Sequence, residues 1–278
     1  MLVHSRKGRW TAWALFAVLF VPVFAAPLLV IAVASFATNW SGAFPSGLTT
    51  GNYAAATRGE SLAALGVSLQ TALAASAVAL TLGTWAALAA SALGRRGHPL
   101  LERSRELGGV RRLLDALFML PVAVPSVVVG LAVLVAYSKP PVLLNGTRWI
   151  VILAHTVLVT AFAFQSVSAA VKRLDPAYEQ AAASLGARPS YVLWRVKLPL
   201  LLPSLNAAAG LCFALSMGEL SATMMLYPPD WMPLPVQIFA ATDRGSLFSG
   251  SAIAVVLMAT TLLVLLAVSR IRTRASYR

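Results

Sequence analysis

The sequence predicts an all-α, polytopic membrane protein with six transmembrane helices, and three observations carry that expectation. The 278 residues are 59% hydrophobic and only 11% charged, with a mean hydropathy of +0.78, whereas a soluble domain carries about a quarter charged residues. Uncharged runs occupy 116–138, 149–171 and 245–269, and roughly 20 apolar residues span a hydrocarbon core of about 30 Å. The 22 Lys and Arg residues collect between such runs instead of within them. A soluble enzyme, a disordered chain and a secreted disulfide scaffold are thereby excluded. The single cysteine, Cys212, sits in an apolar run, so no intrachain disulfide can form.

Taken in order, the apolar runs place spans at 11–37, 62–92, 113–138, 149–170, 200–226 and 248–268. The first follows Arg6, Lys7 and Arg9 in the manner of a signal peptide. Its apolar length exceeds the roughly 15 residues of a signal-peptide core, which argues for an uncleaved first helix. The second run is longer than a bilayer requires, and is expected to tilt or to carry an interfacial end near Ser61–Ser68. Residues 1–60 then form the tail, first helix and an outward loop, and residues 61–278 a five-helix core that includes the loop 171–199. No loop is long enough for a soluble core of its own.

The distribution of basic residues orients these spans. Three lie in the N-terminal tail, six in the 93–112 loop (Arg95, Arg96, Arg103, Arg105, Arg111, Arg112), five in the 171–199 loop (Lys172, Arg173, Arg188, Arg195, Lys197) and four at the C-terminus (Arg270, Arg272, Arg274, Arg278). Only Arg58, Lys139, Arg148 and Arg244 fall on the other side. Cytoplasmic loops hold the excess of Lys and Arg, so both termini are expected in the cytoplasm. The formal net charge of +13 then reflects loops beside anionic lipid headgroups, not nucleic-acid binding.

Catalytic and cofactor signatures are missing. The sequence holds no G-x-x-x-x-G-K-[ST] loop for ATP phosphates and no H-E-x-x-H. Of the three histidines only His155 falls in a span, and bis-histidine haem ligation at membrane depth needs two. His155 reads as a hydrogen-bond donor between packed helices. Glu219 is the one clearly intramembrane carboxylate, and such a group defaults to a functional role facing an aqueous path or the bundle interior. Gly218 beside it could open the helix so that the carboxylate finds backbone N–H donors. Pathway contact, helix–helix bonding and direct cargo ligation all remain open for it. Asp115 reads as a partner for the N-terminal dipole of the third span.

The loop 171–199 carries the most local information. Asp175 followed by Pro176 reads as an N-cap with proline at the first helical position. Gly186 supplies a left-handed stop. Between them Tyr178, Ala181, Ala182 and Leu185 share one helical face, whose alanines permit close approach to another surface. A helix this short is marginal alone in water. Docking into a partner's groove and lying on the headgroups fit this local pattern equally well.

The wider spacing is more specific. Gln180, Ala181-Ala182, Gly186, Val196, Leu198 and Pro199 resemble the pattern E-A-A-x3-G-x9-I-x-L-P, with Gln180 at the glutamate position, Glu179 directly before it, and Val196 for isoleucine. That pattern marks the cytoplasmic loop of permease subunits in binding-protein-dependent ABC importers. Leu120-Pro121-Val122-Ala123-Val124-Pro125-Ser126 resembles the proline-kinked third helix of these permeases. Met217-Gly218-Glu219-Leu220-Ser221-Ala222-Thr223 is similar to the G-E-[FL]-x-A-T segment of the sulfate, molybdate, iron, thiamine and aminoethylphosphonate branch. The resemblance covers about residues 60–270.

The resemblance implies a type I ABC importer permease fold in the bacterial cytoplasmic membrane, without a catalytic site or cofactor of its own. ATP and Mg would be bound by two cytoplasmic ATPase subunits, cargo delivered by an extracytoplasmic binding protein, and the pathway completed by a second permease, identical or homologous. Tyr178, Glu179, Gln180, Ala181, Ala182, Leu185, Gly186, Val196, Leu198 and Pro199 would couple to the ATPase, with Glu179 and Gln180 both open as its polar contact. Glu219, Gly218, Ser216, Pro121 and Pro125 would lie on the translocation path. The outward loop from Tyr227 to Gly245 looks most like the aminoethylphosphonate permeases, with iron(III), thiamine, sulfate and polyamine cargo as alternatives. An ion-coupled secondary transporter is the remote alternative, disfavoured by the lack of inverted repeats.

Overall fold

The computed structural model of the chain describes residues 6–42, 44–93 and 104–270. Arg95, Arg96, Arg103, Arg272, Arg274 and Arg278, counted above as cytoplasmic, lie outside them. Among the described residues, five helical segments are long and apolar enough to cross a membrane: Gly8–Ala34, Gly59–Leu93, Arg148–Arg173, Pro189–Met217 and Leu247–Ser269. A sixth is present if Gly109–Ala123 and Ser126–Ala136, bent by 108° at their junction, count as one span. The chain divides into two compact units, residues 1–63 with 237–259 and residues 64–236 with 260–278.

The first unit opens with α1 (Arg6–Phe20), one π-helical turn at Val21–Ala25, and α2 (Ala26–Ala34). Pro22 and Pro27 cannot donate to the helical ladder and disturb its register. A short antiparallel ribbon follows, β1 (Ala37–Asn39) with β2 (Ser46–Leu48), pairing Ala37 with Leu48 and Asn39 with Ser46. Next comes α3 (Gly51–Ala56). Its Asn52 amide donates to the carbonyls of Ser35 and Ala37, each at 3.0 Å. Tyr53 Oη lies 2.7 Å from Ser35 Oγ, so the end of α2 is tied to α3. The same unit holds most of α12 (Leu234–Asp243) and the first part of α13 (Leu247–Ser269). Gly245, at φ +79°, ends α12, and Gly250 lets α13 pass so near α12 that a Cβ there would lie 2.8 Å from Thr242 Cγ2.

The second unit is built around α7 (Arg148–Arg173). Against it pack α4 (Gly59–Leu93), α5 (Ser104–Ala123), α6 (Ser126–Ala136) and α10 (Leu198–Met217). Ile150, Val151, Ala154, Val159, Ala163, Phe164 and Val167 of α7 are all buried, recurring at the three- and four-residue spacing of a helix face. Small residues set the approach. At Gly83 of α4 a Cβ would stand 2.7 Å from the Phe164 backbone nitrogen. Phe118 of α5 stacks on Phe164 at 5.0 Å between ring centroids.

Three sequence expectations are corrected. The stretch 113–138 is not one helix: Val124 and Pro125 separate α5 from α6, and Pro125 has ψ 137°, outside the helical range. The stretch 200–226 is not one continuous helix either. Helical structure begins earlier, at α9 (Pro189–Val192), runs through a π turn at Leu193–Lys197 into α10, and stops at Met217. Residues 218–222 are non-helical, and only α11 (Thr223–Leu226) follows. Uniform apolarity hid this break, because periodicity reports which face is buried and not whether the backbone ladder is continuous. Asp115 lies within α5, not at its N-terminus, and faces Arg111 Nε at 3.8 Å one turn away.

Candidate functional site

Two regions of the second unit gather the residues singled out by the sequence. The first is the loop around α8 (Ala177–Ser184). Asp175 Oδ1 accepts the Ala177 N–H at 2.8 Å, so the aspartate caps the helix although Pro176 stands just outside it and not at its first position. At the other end Gly186 takes φ +77°. Gly186 N–H donates to Ala183 O at 2.9 Å and Ala187 N–H to Ala182 O at 3.0 Å. This pair of bonds is a Schellman stop, which satisfies carbonyls the helix would leave open.

What α8 presents is apolar and uncovered. Tyr178, Ala181 and Leu185 are exposed, Leu185 to 89%. Beyond Gly186 the chain adds Tyr191 and Trp194, the latter 60% exposed. A groove of about 780 Å³ runs between them, lined by Ala182, Leu185, Gly186, Tyr191 and Trp194 with Arg188 and Arg195 at its sides. Glu179 points the other way: its Oε1 lies 2.9 Å from Lys197 Nζ, and both side chains are largely shielded. Gln180 is exposed. Val196 and Leu198 are half-buried where the π turn joins α10, and Pro199 is exposed. Tyr191 and Trp194 had no motif to announce them; only their place on the helix that follows Gly186 brings them to this surface.

The second region is the break after Met217. Gly218 closes α10 with φ −95° and ψ 0°, and Glu219 follows outside any helix. Its carboxylate finds the backbone donor expected for it: Oε1 accepts the Ala222 N–H at 2.8 Å. The Glu219 carbonyl accepts the Thr223 hydroxyl at 3.1 Å. His155 of α7 lies across the break, its Nδ1 2.7 Å from Ser216 Oγ and its Nε2 2.7 Å from Thr223 Oγ1. Ser216 is therefore joined to Glu219 and Gly218 by geometry as well as by sequence. Gly130 of α6 rests on the same turn, since a Cβ there would be 2.8 Å from Ala222 Cα and 2.9 Å from its carbonyl oxygen. Pro121 and Pro125 lie at the α5–α6 bend; neither shares a hydrogen bond with the Glu219 turn.

Beyond the break the chain is anchored again. Trp231 Nε1 donates to Thr71 Oγ1 at 3.0 Å, and Leu234 N–H to Ser68 Oγ at 2.8 Å. The Arg148 guanidinium sits 5.0 Å from the Trp149 ring and 5.6 Å from that of Trp231, within cation–π range. No cluster of three or more His, Cys, Asp or Glu suited to a metal occurs among the described residues.

Comparison with known proteins matches residues 105–276 to the family described as binding-protein-dependent transport system inner membrane component. A Salmonella typhimurium protein named for a 2-aminoethylphosphonate transport system permease, PhnV, is 44% identical over 99% of this chain and 98% of its own length. The molybdenum transport system permease protein ModB of Mycobacterium tuberculosis is 32% identical over 74% of this chain and 79% of its own. Among solved structures, a bacterial alginate ABC transporter bound to its pentasaccharide-loaded periplasmic protein superposes with a TM-score of 0.70 at 16% identity, covering 96% of each chain.

Proposed function

The chain belongs to the binding-protein-dependent transport system inner membrane components, and from that membership we propose how this permease subunit of an ABC importer works and what it carries. The cargo is 2-aminoethylphosphonate. The observation that carries this reading is the 44% identity with PhnV over nearly the whole of both chains.

The exposed face of α8 and the Tyr191–Trp194 groove form the seat of a cytoplasmic ATPase subunit. An apolar, aromatic patch that the described residues leave open marks an interaction surface, and a two-turn helix needs a partner to persist. Glu179 is held by Lys197, so Gln180, not Glu179, offers the polar contact to that partner. ATP and Mg belong to the ATPase subunits, and a second permease completes the pathway. A binding protein delivers cargo from outside, as the periplasmic protein in the alginate transporter complex suggests by analogy.

Force would travel along one continuous element. Pro189–Met217 is an unbroken helical segment of 29 residues, about 40 Å long at a rise of 1.5 Å per residue. It begins beside the α8 groove and ends at the Glu219 break. Displacement of α8 by nucleotide-driven closure of the ATPases would therefore reach the break as a rigid-body movement, the usual currency of alternating access. The basic 93–112 and 171–199 loops favour the cytoplasm. With the bent α5–α6 pair counted as one crossing, both termini lie there too.

The test is reconstitution of the permease with its ATPase and binding protein in proteoliposomes. ATP-dependent uptake of labelled 2-aminoethylphosphonate, uncompeted by molybdate or putrescine, is expected. Uptake competed fully by molybdate or putrescine would replace the cargo.

A further inference from the structure

We propose that His155 is the positioning residue of the break that carries Glu219. This rests on the reading, given above for Ser216, Gly218 and Glu219, that the break lies on the translocation path.

The hydrogen-bond inventory fixes the roles. A threonine hydroxyl has one proton, and Thr223 donates it to the Glu219 carbonyl. Thr223 can then only accept from His155, so the imidazole proton is on Nε2 and Nδ1 is left to accept from the Ser216 hydroxyl. The order Ser216–His155–Thr223–Glu219 is closed by the Glu219 N–H donating back to the Ser216 carbonyl at 3.4 Å. The ring holds the end of α10 and the start of α11 at a fixed separation, with non-helical residues 218–222 between them.

His155 is almost fully buried, and its ring connects two helix ends of a single broken segment to a third helix. A buried neutral imidazole needs two partners, one for its donor nitrogen and one for its acceptor. These two, on opposite sides of a break, prevent α10 and α11 from merging into one straight helix and hold the Glu219 carboxylate at the turn. Movement of α10 is then passed to α11 and to Trp231 beyond it. The Cys212 thiol, 3.4 Å from the Val159 carbonyl, adds a second tie between α10 and α7 on the α10 side of the break, while His155 reaches Thr223 on the far side.

The experiment uses the complete complex with its binding protein in proteoliposomes, and reads 2-aminoethylphosphonate taken up per ATP hydrolysed, beside the yield of assembled complex. Interhelical hydrogen bonds in membranes are individually weak, so loss of both in His155→Ala is expected to lower the ratio about fivefold to tenfold. His155→Gln, whose amide can still donate to Thr223, is expected to fall between the two. Thr223→Val keeps the side-chain volume and removes the hydroxyl with both of its bonds; its ratio should also fall, and the pair His155→Ala with Thr223→Val should fall by less than the product of the two single losses. An unchanged ratio in Thr223→Val and His155→Ala overturns the assignment, as does a reduced yield with wild-type ratio, which marks a purely structural bond. Absence of uptake by the wild-type complex would instead overturn the cargo and pathway reading on which it rests.

Discussion

The Glu179 carboxylate lies 2.9 Å from the Lys197 ammonium, fastening α8 to the root of the helical segment that ends at Met217. The exposed face of α8 and the helix behind it can thus move together. Each side chain is less than a fifth exposed, so solvent screens the pair only in part. Glu179→Lys and Lys197→Glu should each reduce ATPase stimulation by the loaded binding protein, and the exchanged pair should recover it. A double-mutant cycle on complex stability is expected to give a coupling of about 0.5–1 kcal/mol. Additive losses in both readouts would show that the pair transmits nothing.

Gly186 makes a cleaner test of the same surface. At φ +77° any residue with a Cβ is strained, and no neighbouring atom lies within 4 Å of where that Cβ would sit. The cost of Gly186→Val is therefore conformational, about 1–2 kcal/mol, and it falls on the stop of an eight-residue helix. Stimulated ATP hydrolysis should be lost while membrane insertion is retained. Ala182→Arg should do the same by blocking the groove, with the backbone unchanged.

Glu219 separates charge from capping. Glu219→Gln retains an oxygen that can accept the Ala222 N–H, so complex yield should match wild type while uptake falls if the charge serves the path. Glu219→Leu orphans that N–H, at about 1–3 kcal/mol, and yield should drop as well. Wild-type uptake in the glutamine variant would leave the charge without a transport role.

Two glycines distinguish packing from gating. A Cβ at Gly83 meets the backbone of α7, and one at Gly130 meets the backbone of Ala222. Overpacking of this kind costs about 1–3 kcal/mol. Gly83→Ala should lower the thermal stability of the purified permease with little change in uptake per folded complex. Gly130→Ala should lower uptake per folded complex, because it presses on the turn that holds Glu219. Equal uptake in the two variants would count against a special role for that turn.

Much of the fold was readable from residues because apolar length and charge placement are imposed by the bilayer itself. The α8 loop was readable for a local reason: Asp175 and Gly186 act within a few residues of themselves. The break at 218–222 was not, beyond the hint from Gly218. Its partners, His155 and Gly130, lie on α7 and α6, and no local pattern records that a histidine 61 residues before Ser216 will bridge it. The 108° bend between α5 and α6 was foreshadowed by Pro121 and Pro125, but prolines report that a ladder is interrupted and not the angle that results. The helix Leu234–Asp243 was missed because it is short and has prolines at 233 and 235, which read as loop.

The apolar face around Leu185 is proposed as the seat of the ATPase. Its most direct test places a photo-crosslinking amino acid at position 185 in the complete complex and identifies the adduct by mass spectrometry. A crosslink to the ATPase subunit is expected. Crosslinks to lipid alone, from a complex that still contains the ATPase, would contradict it.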